Sequence, residues 1–247
     1  NQKKFIVHNV QESVAKISNI FYRDYTEKEK NEFDNPVVGE NCEIGNNVVI
    51  ENGAIIGKNV KINHGAVIKI NCIIGDGTVV GSNSVISNSI LGDNIYIGSN
   101  TSIGQRGFGF FLSNNNIDIF HIGRVLMQSK VSIGSGCTID RGSFSDTIIG
   151  ENTYFDNLCH VAHNVEVGNN SAFAAMTGIA GSAKVGNYVL TGGQAGIAGH
   201  ITIGNNVHIA AKSGVFQSIA DGDVVMGNPA VNKYKFLKNH KKIYGKK

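Results

Sequence analysis

Apolar residues recur at every sixth position along most of this chain. The series occupies residues 38–86, 91–103, 133–139 and 149–215, with a step of five between the first two segments. Of its 26 positions, 25 are apolar and only Thr191 is polar, and glycine follows 14 of them. A period of six fits neither an α-helix nor an alternating strand. It is typical of hexapeptide-repeat solenoids, in which short parallel strands wrap into a β-helix.

Each repeat predicts one short strand and one turn. The recurring aliphatic side chain points inward and stacks on the equivalent residue of the next coil, which suits β-branched residues. The following glycine leaves space that a side chain would crowd, and asparagine or aspartate at the corners tolerates left-handed turn conformations. Three repeats make a triangular coil of about 18 residues, and coils stack at about 4.8 Å. Stability then accumulates along the axis, because each coil touches only its neighbours.

The pattern divides the chain into three parts. Residues 1–35 lack the repeat, although residues 11–22 have apolar positions at helical spacing. Residues 36–228 are predicted to form an all-β solenoid, interrupted by an inserted loop at about 105–130. Residues 229–247 are rich in lysine and predict a short basic helix. This tail either caps the open end of the solenoid or docks an acidic partner.

Composition narrows the class of protein further. The formal net charge of +3 argues against nucleic acid as the main partner. No apolar run reaches the length of a membrane span, and no signal peptide is visible, so we expect a cytoplasmic protein. The four cysteines lack the paired spacing of a zinc site, which favours small repeat positions in a reducing compartment. These cysteines are Cys42, Cys72, Cys137 and Cys159.

Two histidines are candidates for chemistry because of where the repeat puts them. His163 comes two residues after the inward Val161, so it lies close to a corner of its coil. Gly181 follows His163 by 18 residues, which is one coil, and His200 follows it by 37, which is two coils and one residue. A histidine can take a proton from an attacking amine, and a glycine N–H can stabilise an oxyanion. With small residues nearby leaving a groove for a long, thin substrate, this arrangement predicts an acyl-transfer site.

A set of motifs accompanies these residues in a fixed order. They are Gly107-Phe108-Gly109-Phe110, His121-Ile122-Gly123-Arg124-Val125, Thr138-Ile139-Asp140-Arg141-Gly142, Asp156-Asn157-Leu158, Val161-Ala162-His163-Asn164, Gly178-Ile179-Ala180-Gly181-Ser182, Gly192-Gly193 and Gly196-Ile197-Ala198-Gly199-His200. As a set they resemble the UDP-3-O-acylglucosamine N-acyltransferases (LpxD) of lipid A biosynthesis. The resemblance covers about residues 5–240. The period of six alone is shared by many acyltransferases, whereas the ordered motifs are specific.

The resemblance implies a left-handed parallel β-helix, which is an exception to the usual crossover handedness. It implies a homotrimer with active sites between subunits. It also implies transfer of a 3-hydroxyacyl chain from acyl carrier protein to the 2-amine of UDP-3-O-(3-hydroxyacyl)-glucosamine. No cofactor is implied, because the donor carries its phosphopantetheine on acyl carrier protein.

The resemblance also assigns roles to residues of this chain. His163 is the expected general base, His200 a second site histidine, and the backbone of Gly181 the oxyanion donor. Asp156 and Asn157 are expected to orient or contact the substrate. Phe108 and Phe110, in the inserted loop, are expected to bind substrate, the alternative being that they pack on the coil wall or on a neighbouring subunit. The basic C-terminal helix would face the acidic acyl carrier protein.

The chain departs from the family pattern in three places. The family has a uridine-binding N-terminal domain of about 100 residues, and residues 1–35 look like a remnant of its last strand and helix. Arg106 stands where an acidic residue is expected, and Gln217 stands where a basic, donor-contacting residue is usual.

Three other functions compete with this one. The first is an N-acyltransferase that uses a short acyl-CoA on another nucleotide-linked amino sugar, which the segment Met226-Gly227-Asn228-Pro229-Ala230 favours. The second is a non-catalytic trimeric scaffold. The third is a β-helical zinc enzyme, which would require histidines with paired spacing that this sequence lacks.

Overall fold

The computed structural model describes residues 6–21, 32–227, 238–239, 241–242 and 245. It has a helix, α1 (Val10–Phe21), followed by a parallel β-helix of two- to four-residue strands, numbered in chain order. Three long parallel sheets form the walls of this solenoid, and successive strands pass from one wall to the next. The six-residue period therefore predicted the architecture correctly.

The strands of each wall are as follows. The first sheet contains β1 (Val37–Val38), β4 (Ile55–Ile56), β7 (Ile73–Ile74), β10 (Ser89–Leu91), β15 (Val125–Met127), β18 (Thr147–Ile149), β21 (Glu166–Val167), β24 (Lys184–Val185) and β27 (Thr202–Ile203). The second sheet contains β2 (Glu43–Ile44), β5 (Lys61–Ile62), β8 (Val79–Val80), β11 (Tyr96–Ile97), β16 (Ser132–Ile133), β19 (Tyr154–Phe155), β22 (Ala172–Phe173), β25 (Leu190–Thr191), β28 (His208–Ile209) and β30 (Val224–Val225). The third sheet contains β3 (Val49–Ile50), β6 (Val67–Ile68), β9 (Val85–Ile86), β12 (Ser102–Gln105), β17 (Thr138–Asp140), β20 (His160–Val161), β23 (Gly178–Ile179), β26 (Gly196–Ile197) and β29 (Gly214–Val215).

The core is one column of stacked aliphatic side chains along the axis. From Ile56 to Val215, the residues of the six-residue series are buried. Thr191, the polar exception, is also buried, and its hydroxyl lies 2.9 Å from the hydroxyl of Thr177. This hydrogen bond satisfies both groups, so a threonine is tolerated in the apolar column. Three of the four free cysteines are buried in the solenoid as well, as the sequence predicted.

A ladder of side-chain oxygens explains the glycines that follow many inward residues. At the edge after the first sheet, Oδ1 of Asp76 accepts a hydrogen bond from the N–H of Lys58 in the preceding coil, at 2.7 Å. A Cβ on Gly57 would lie only 2.3 Å from that oxygen. The next residue along the corner is often an asparagine with positive φ, such as Asn59 with a φ of 55°.

The inserted loop is shorter than the sequence predicted. The coil resumes at β15, a few residues before the expected boundary near 130. Met127 lies six residues before Ile133 and is buried. The series of inward residues therefore resumes at Met127, one repeat earlier than predicted. Within the loop, β13 (Phe110–Phe111) and β14 (Ile117–Asp118) pair as an antiparallel hairpin.

Helix α1 matches the helical spacing predicted for residues 11–22, and it packs on this hairpin. The Ser18 hydroxyl accepts a hydrogen bond from the N–H of Phe120 at 3.0 Å, and the Asn19 amide donates one to the carbonyl oxygen of Asp118 at 2.5 Å. The helix predicted in the basic tail lies mostly outside the described residues, although residues 238–239 and 241–242 are helical.

Candidate active site

His163 lies at the edge where the third sheet turns into the first. Strands β20, β23 and β26 pair in register, so the corner positions His163, Gly181 and Gly199 follow one another along this edge. A Cβ on Gly181 would lie 2.8 Å from both Cε1 and Nε2 of His163. The imidazole therefore rests against the backbone of the next coil in space that only a glycine leaves open.

Asn164 determines which ring nitrogen of His163 carries a proton. Its Oδ1 accepts a hydrogen bond from the N–H of Ser143 at 3.0 Å, and its Nδ2 donates one to the carbonyl oxygen of Ser145 at 2.9 Å. These two backbone partners allow only one orientation of the amide. Nδ1 of His163 lies 2.9 Å from the same Oδ1 and must donate to it. Nε2, beside Gly181, then keeps its lone pair and can accept a proton.

The N–H of Gly181 is available to a ligand. At the edge after the first sheet, the N–H of Asn169 in the corresponding position binds Oδ1 of Asn187 in the next coil, at 2.8 Å. The residue that would supply this oxygen to Gly181 is Gly199, which has no side chain. Within the part of the chain that the structure describes, the Gly181 N–H has no hydrogen-bond partner. A free backbone donor beside a base is the arrangement that an oxyanion requires.

A partly buried carboxylate, Asp140, lies beside the histidines. Its side chain is 13% exposed, and its Oδ2 lies 3.8 Å from Nε2 of His160. Nδ1 of His160 lies 2.7 Å from the hydroxyl of Thr138. Burial raises the pKa of Asp140, while His160 and His163 act in the opposite direction. Asp140 therefore places a carboxyl group beside both imidazoles.

His121 is a neighbour of His163. It belongs to one of the motifs found in the sequence, but the sequence assigned it no role. It lies at the end of the inserted loop and is 2% exposed. Its ring meets that of His163 edge to face, with 5.2 Å between the ring centroids. Repeat counting could not find this contact, because His121 belongs to the insertion and has no position in the period.

His200 lies at the same edge as His163 but is offset by one residue. Its N–H donates a hydrogen bond to the carbonyl oxygen of Gly181 at 3.2 Å, and its side chain is exposed. It shares a positive φ with Asn164 and Ser182, the equivalent residues of the two preceding coils. It is thus aligned with Asn164 along the edge, two coils further on, and not with His163 itself.

Asp156 and Asn157 lie at a different edge of the solenoid within one chain. They follow β19 in the second sheet, whereas His163 follows β20 in the third. Oδ1 of Asn157 accepts a hydrogen bond from the N–H of Ser135 at 2.8 Å, so this side chain takes part in a corner ladder. Both side chains are exposed, and the structure of one chain does not bring them to His163.

Phe108 and Phe110 form an aromatic pair on the inserted loop. Their ring centroids lie 4.9 Å apart, with the planes at 80°. Phe108 is 84% exposed and Phe110 is half-buried. The loop therefore presents an apolar side chain to its surroundings, which agrees with a binding role or with a contact to another subunit.

The outer surface of the third sheet is smooth beside His163. Gly178, Gly196 and Gly214 occupy the outward positions of three successive strands. A Cβ on Gly178 or Gly196 would meet no atom within 4 Å. An extended apolar chain can lie on such a strip without meeting a side chain.

Among the residues that the structure describes, no group of three or more His, Cys, Asp or Glu side chains is arranged to hold a metal ion. The described helices include none that is long and apolar enough to cross a membrane.

Comparison with known proteins agrees with this fold. The model of the GMPPB C-terminal domain matches residues 33–113, and that of the bacterial transferase hexapeptide (six repeats) matches residues 146–181. The UDP-N-acetylglucosamine acyltransferase from Campylobacter jejuni superposes with a TM-score of 0.67 at 24% identity, covering 81% of this chain and 84% of that one. At this identity the likeness shows the fold. The chain therefore has the fold that the hexapeptide pattern predicted, a left-handed parallel β-helix.

Sequence relatives are more specific. A UDP-3-O-acylglucosamine N-acyltransferase from Maricaulis maris is 52% identical over 66 residues, which are 26% of this chain and 19% of that protein. A protein of the same name from Caulobacter vibrioides is 45% identical over 86 residues, which are 34% of this chain and 25% of the relative. The chain thus spans a quarter or less of the length of these curated relatives. The resemblance predicted from the motifs is confirmed over that part.

Proposed function

We propose that this chain carries the catalytic β-helix of a UDP-3-O-acylglucosamine N-acyltransferase. The acceptor is the 2-amine of UDP-3-O-(3-hydroxyacyl)-glucosamine, and the donor is a 3-hydroxyacyl thioester on acyl carrier protein. The observation that carries the proposal is the arrangement of His163 and Gly181, which supplies a base nitrogen and a free N–H at one edge of the solenoid.

The proposed chemistry follows from these two groups. The amine attacks the thioester carbonyl, and Nε2 of His163 takes the proton that the amine loses. The N–H of Gly181 stabilises the negative charge that develops on the carbonyl oxygen. Asp140 stabilises the imidazolium, which then gives its proton to the departing thiolate as the carbon–sulfur bond breaks. The products are the amide and the thiol of the carrier.

We expect the protein to act as a homotrimer, because two of its walls are apolar on the outside. Outward apolar side chains line the first six strands of the first sheet and the first three of the third, namely Val37, Ile55, Ile73, Ile90, Leu126 and Ile148 on the first and Val49, Val67 and Val85 on the third. The second sheet begins instead with the ion pair of Glu43 and Lys61, at 2.7 Å. Two different apolar faces suit a heterologous contact that closes into a ring. His163 lies at the edge between these faces, where a neighbouring copy would border the site.

The direct test is N-acylation of UDP-3-O-(3-hydroxyacyl)-glucosamine by the full-length protein with 3-hydroxyacyl carrier protein. We expect the His163→Ala variant to lose at least about a hundredfold in kcat, which lies within the range that general-base loss costs. His208→Ala is the matched control, because His208 is an exposed histidine on the second sheet, and it should keep wild-type turnover.

Other outcomes would favour the competing functions. Turnover with acetyl-CoA and not with the carrier-bound donor would assign the short-chain alternative. A wild-type protein without turnover on any of these donors, and with no change in substrate binding in His163→Ala, would assign the scaffold.

A further inference from the structure

We infer that His121 is a positioning residue for His163, holding the start of the inserted loop against the catalytic imidazole through a hydrogen bond to Gly107. The inference rests on the proposed function for its kinetic readout. It concerns a residue that acts through His163 and does not itself touch the reacting atoms.

His121 is hydrogen-bonded to the backbone of Gly107. The N–H of Gly107 donates to Nδ1 of His121 at 3.1 Å, so this nitrogen must be unprotonated. The bond joins the beginning of the inserted loop to its end. The other side of the ring is enclosed by the same loop, because a Cβ on Gly109 would lie 2.3 Å from Nε2 of His121.

His121 and Gly107 both contact His163. The edge-to-face rings lie 5.2 Å apart, and a Cβ on Gly107 would lie 3.0 Å from Cβ of His163 and 3.2 Å from Oδ2 of Asp140. The His121 ring and the Gly107 backbone together cover one side of His163. The Gly181 backbone of the next coil contacts the ring at Cε1 and Nε2. The imidazole is thus held between the loop and the next coil, and a small shift in a base of this kind has a large kinetic cost.

The pKa of His121 is lowered by its surroundings, which determines its protonation state. Its surroundings disfavour a charge: the ring is buried, and His163, Arg106 and Arg141 all add positive potential. These effects lower the pKa of His121 to about 4, although an interaction of the ring with the backbone of Arg141, toward which the ring is the donor, acts in the opposite direction. Asp140 is the acidic group on the neighbouring strand β17. The ring therefore stays neutral and remains an acceptor for Gly107 at the pH of the reaction.

The residues next to His121 and Gly107 anchor the inserted loop to α1 and β14. Phe120, next to His121, donates its N–H to the hydroxyl of Ser18 in α1 at 3.0 Å. Arg106, next to Gly107, pairs with Asp118 of β14 at 2.6 Å. The residues at both ends of the His121–Gly107 hydrogen bond therefore make further contacts outside the site. These contacts hold the loop in place, and the loop in turn positions His163.

The test compares His121→Ala and His121→Asn in the full-length protein. Asparagine places Oδ1 where Nδ1 of the histidine lies, so it can accept the bond from Gly107. We expect kcat to fall about tenfold to a hundredfold in His121→Ala, in line with misplacement of a catalytic group, and to recover most of that loss in His121→Asn. KM for the sugar nucleotide should stay within about twofold, because the change acts on the base and not on ground-state binding.

The matched control is His64→Ala. Nδ1 of His64 also accepts a backbone N–H, that of Asn46 at 2.8 Å, but it does so in an early coil far along the chain from His163. This variant should lose a similar amount of stability without losing kcat. Equal kcat losses in His64→Ala and His121→Ala, or a folded His121→Ala with wild-type kcat, would overturn the inference.

A spectroscopic readout separates failure of this inference from failure of the proposed function. Imidazole ¹⁵N spectra should show His121 as the neutral Nε2–H form between about pH 5 and 8. The tautomer of neutral His163 should be the Nδ1–H form. The His163 signals should move or broaden in His121→Ala and return in His121→Asn. If wild-type protein does not turn over, the function fails alone; if the His163 signals are identical in all three proteins, the positioning role fails.

Discussion

At the scale of single residues, the orientation of one amide decides the chemistry that His163 can perform. The sequence placed Asn164 in a motif next to the base but gave it no role. In the structure its oxygen is fixed by Ser143 and directs the proton of His163 to Nδ1. The lone pair that the reaction needs therefore stays on Nε2, beside Gly181.

We expect Asn164→Ala to reduce kcat by about tenfold to a hundredfold, because the tautomer and the ring orientation are no longer fixed. Asn164 has a φ of 61°, so an alanine there also costs about 1 kcal/mol of stability through backbone strain. Asn59→Ala, at a φ of 55°, carries the same strain away from the site. Steady-state kinetics and urea unfolding of both variants check the prediction; activity loss in both would assign the effect to folding.

The low pKa of His121 predicts how stability changes with pH. The folded protein keeps this ring neutral down to about pH 4, whereas the unfolded chain takes up a proton below about 6.5. Between these values the unfolded state binds more protons, so the free energy of unfolding falls as the pH falls. His121→Phe removes this contribution.

Urea unfolding of wild type and His121→Phe at pH 7.5 and pH 5 measures the effect. The wild type should lose more stability than the variant over this interval, since all other titrating groups are shared. An equal loss in the two proteins would show that His121 is already charged in the folded state at pH 5, or that its folded pKa is ordinary.

At the scale of elements, the corner ladder links each coil to the next by more than strand pairing. The same position after the first sheet holds Asp76, Asp93, Asn169, Asn187 and Asn205, and each oxygen accepts an N–H from the preceding coil. Two-residue strands make few hydrogen bonds of their own. These side chains therefore contribute to the continuity of a solenoid in which every coil depends on its neighbours.

We expect Asp76→Ala to lower the free energy of unfolding by about 1 kcal/mol, the usual net value of a hydrogen bond. Asp76→Asn keeps the acceptor oxygen, as asparagine does at this position in later coils, and should stay close to wild type. Chemical denaturation of the two variants distinguishes loss of the oxygen from loss of the charge. A larger loss in the asparagine variant than in the alanine variant would contradict the ladder as the cause.

At the scale of the whole molecule, apolar and polar walls are distributed unevenly around the solenoid. The outward apolar positions of the first sheet end at Glu166 and Lys184, which form an ion pair at 3.2 Å. The apolar surface is thus confined to the coils before them. The expected contact between copies therefore ends at Ile148, which pairs with Glu166 of the strand that follows the His163 corner, so the contact borders the site and leaves the later coils uncovered.

We expect the double variant Ile55→Lys and Ile73→Lys to dissociate the assembly, because charges on a buried face of an interface are costly. Light scattering coupled to size exclusion should give a mass near three chains for wild type and a lower mass for the variant. Val79→Lys, on the second sheet, is the control and should keep the wild-type mass. A wild-type protein that already has the mass of one chain would remove the trimer from the proposal.

The part of the site that the sequence predicted lies where the coils are uninterrupted. From Val161 onward the inward residues keep a step of six, so 18 residues are one coil and Gly181 is placed beside His163 by counting alone. The interrupted part was not predictable in this way. Ile139 and Val161 are paired neighbours but are 22 residues apart, because residues 141–146, between β17 and β18, add extra residues to this coil.

The sequence by itself determined the solenoid, its inward residues and the stacking of His163 on Gly181, because these depend on a local period that each repeat restates. Only the tertiary structure decided the protonation of His163 and its enclosure. The amide of Asn164 is oriented by Ser143 and Ser145, which lie between β17 and β18, and His121 lies at the end of the inserted loop; neither segment follows the period. Contacts of this kind arise when distant segments pack together, and no spacing along the chain encodes them.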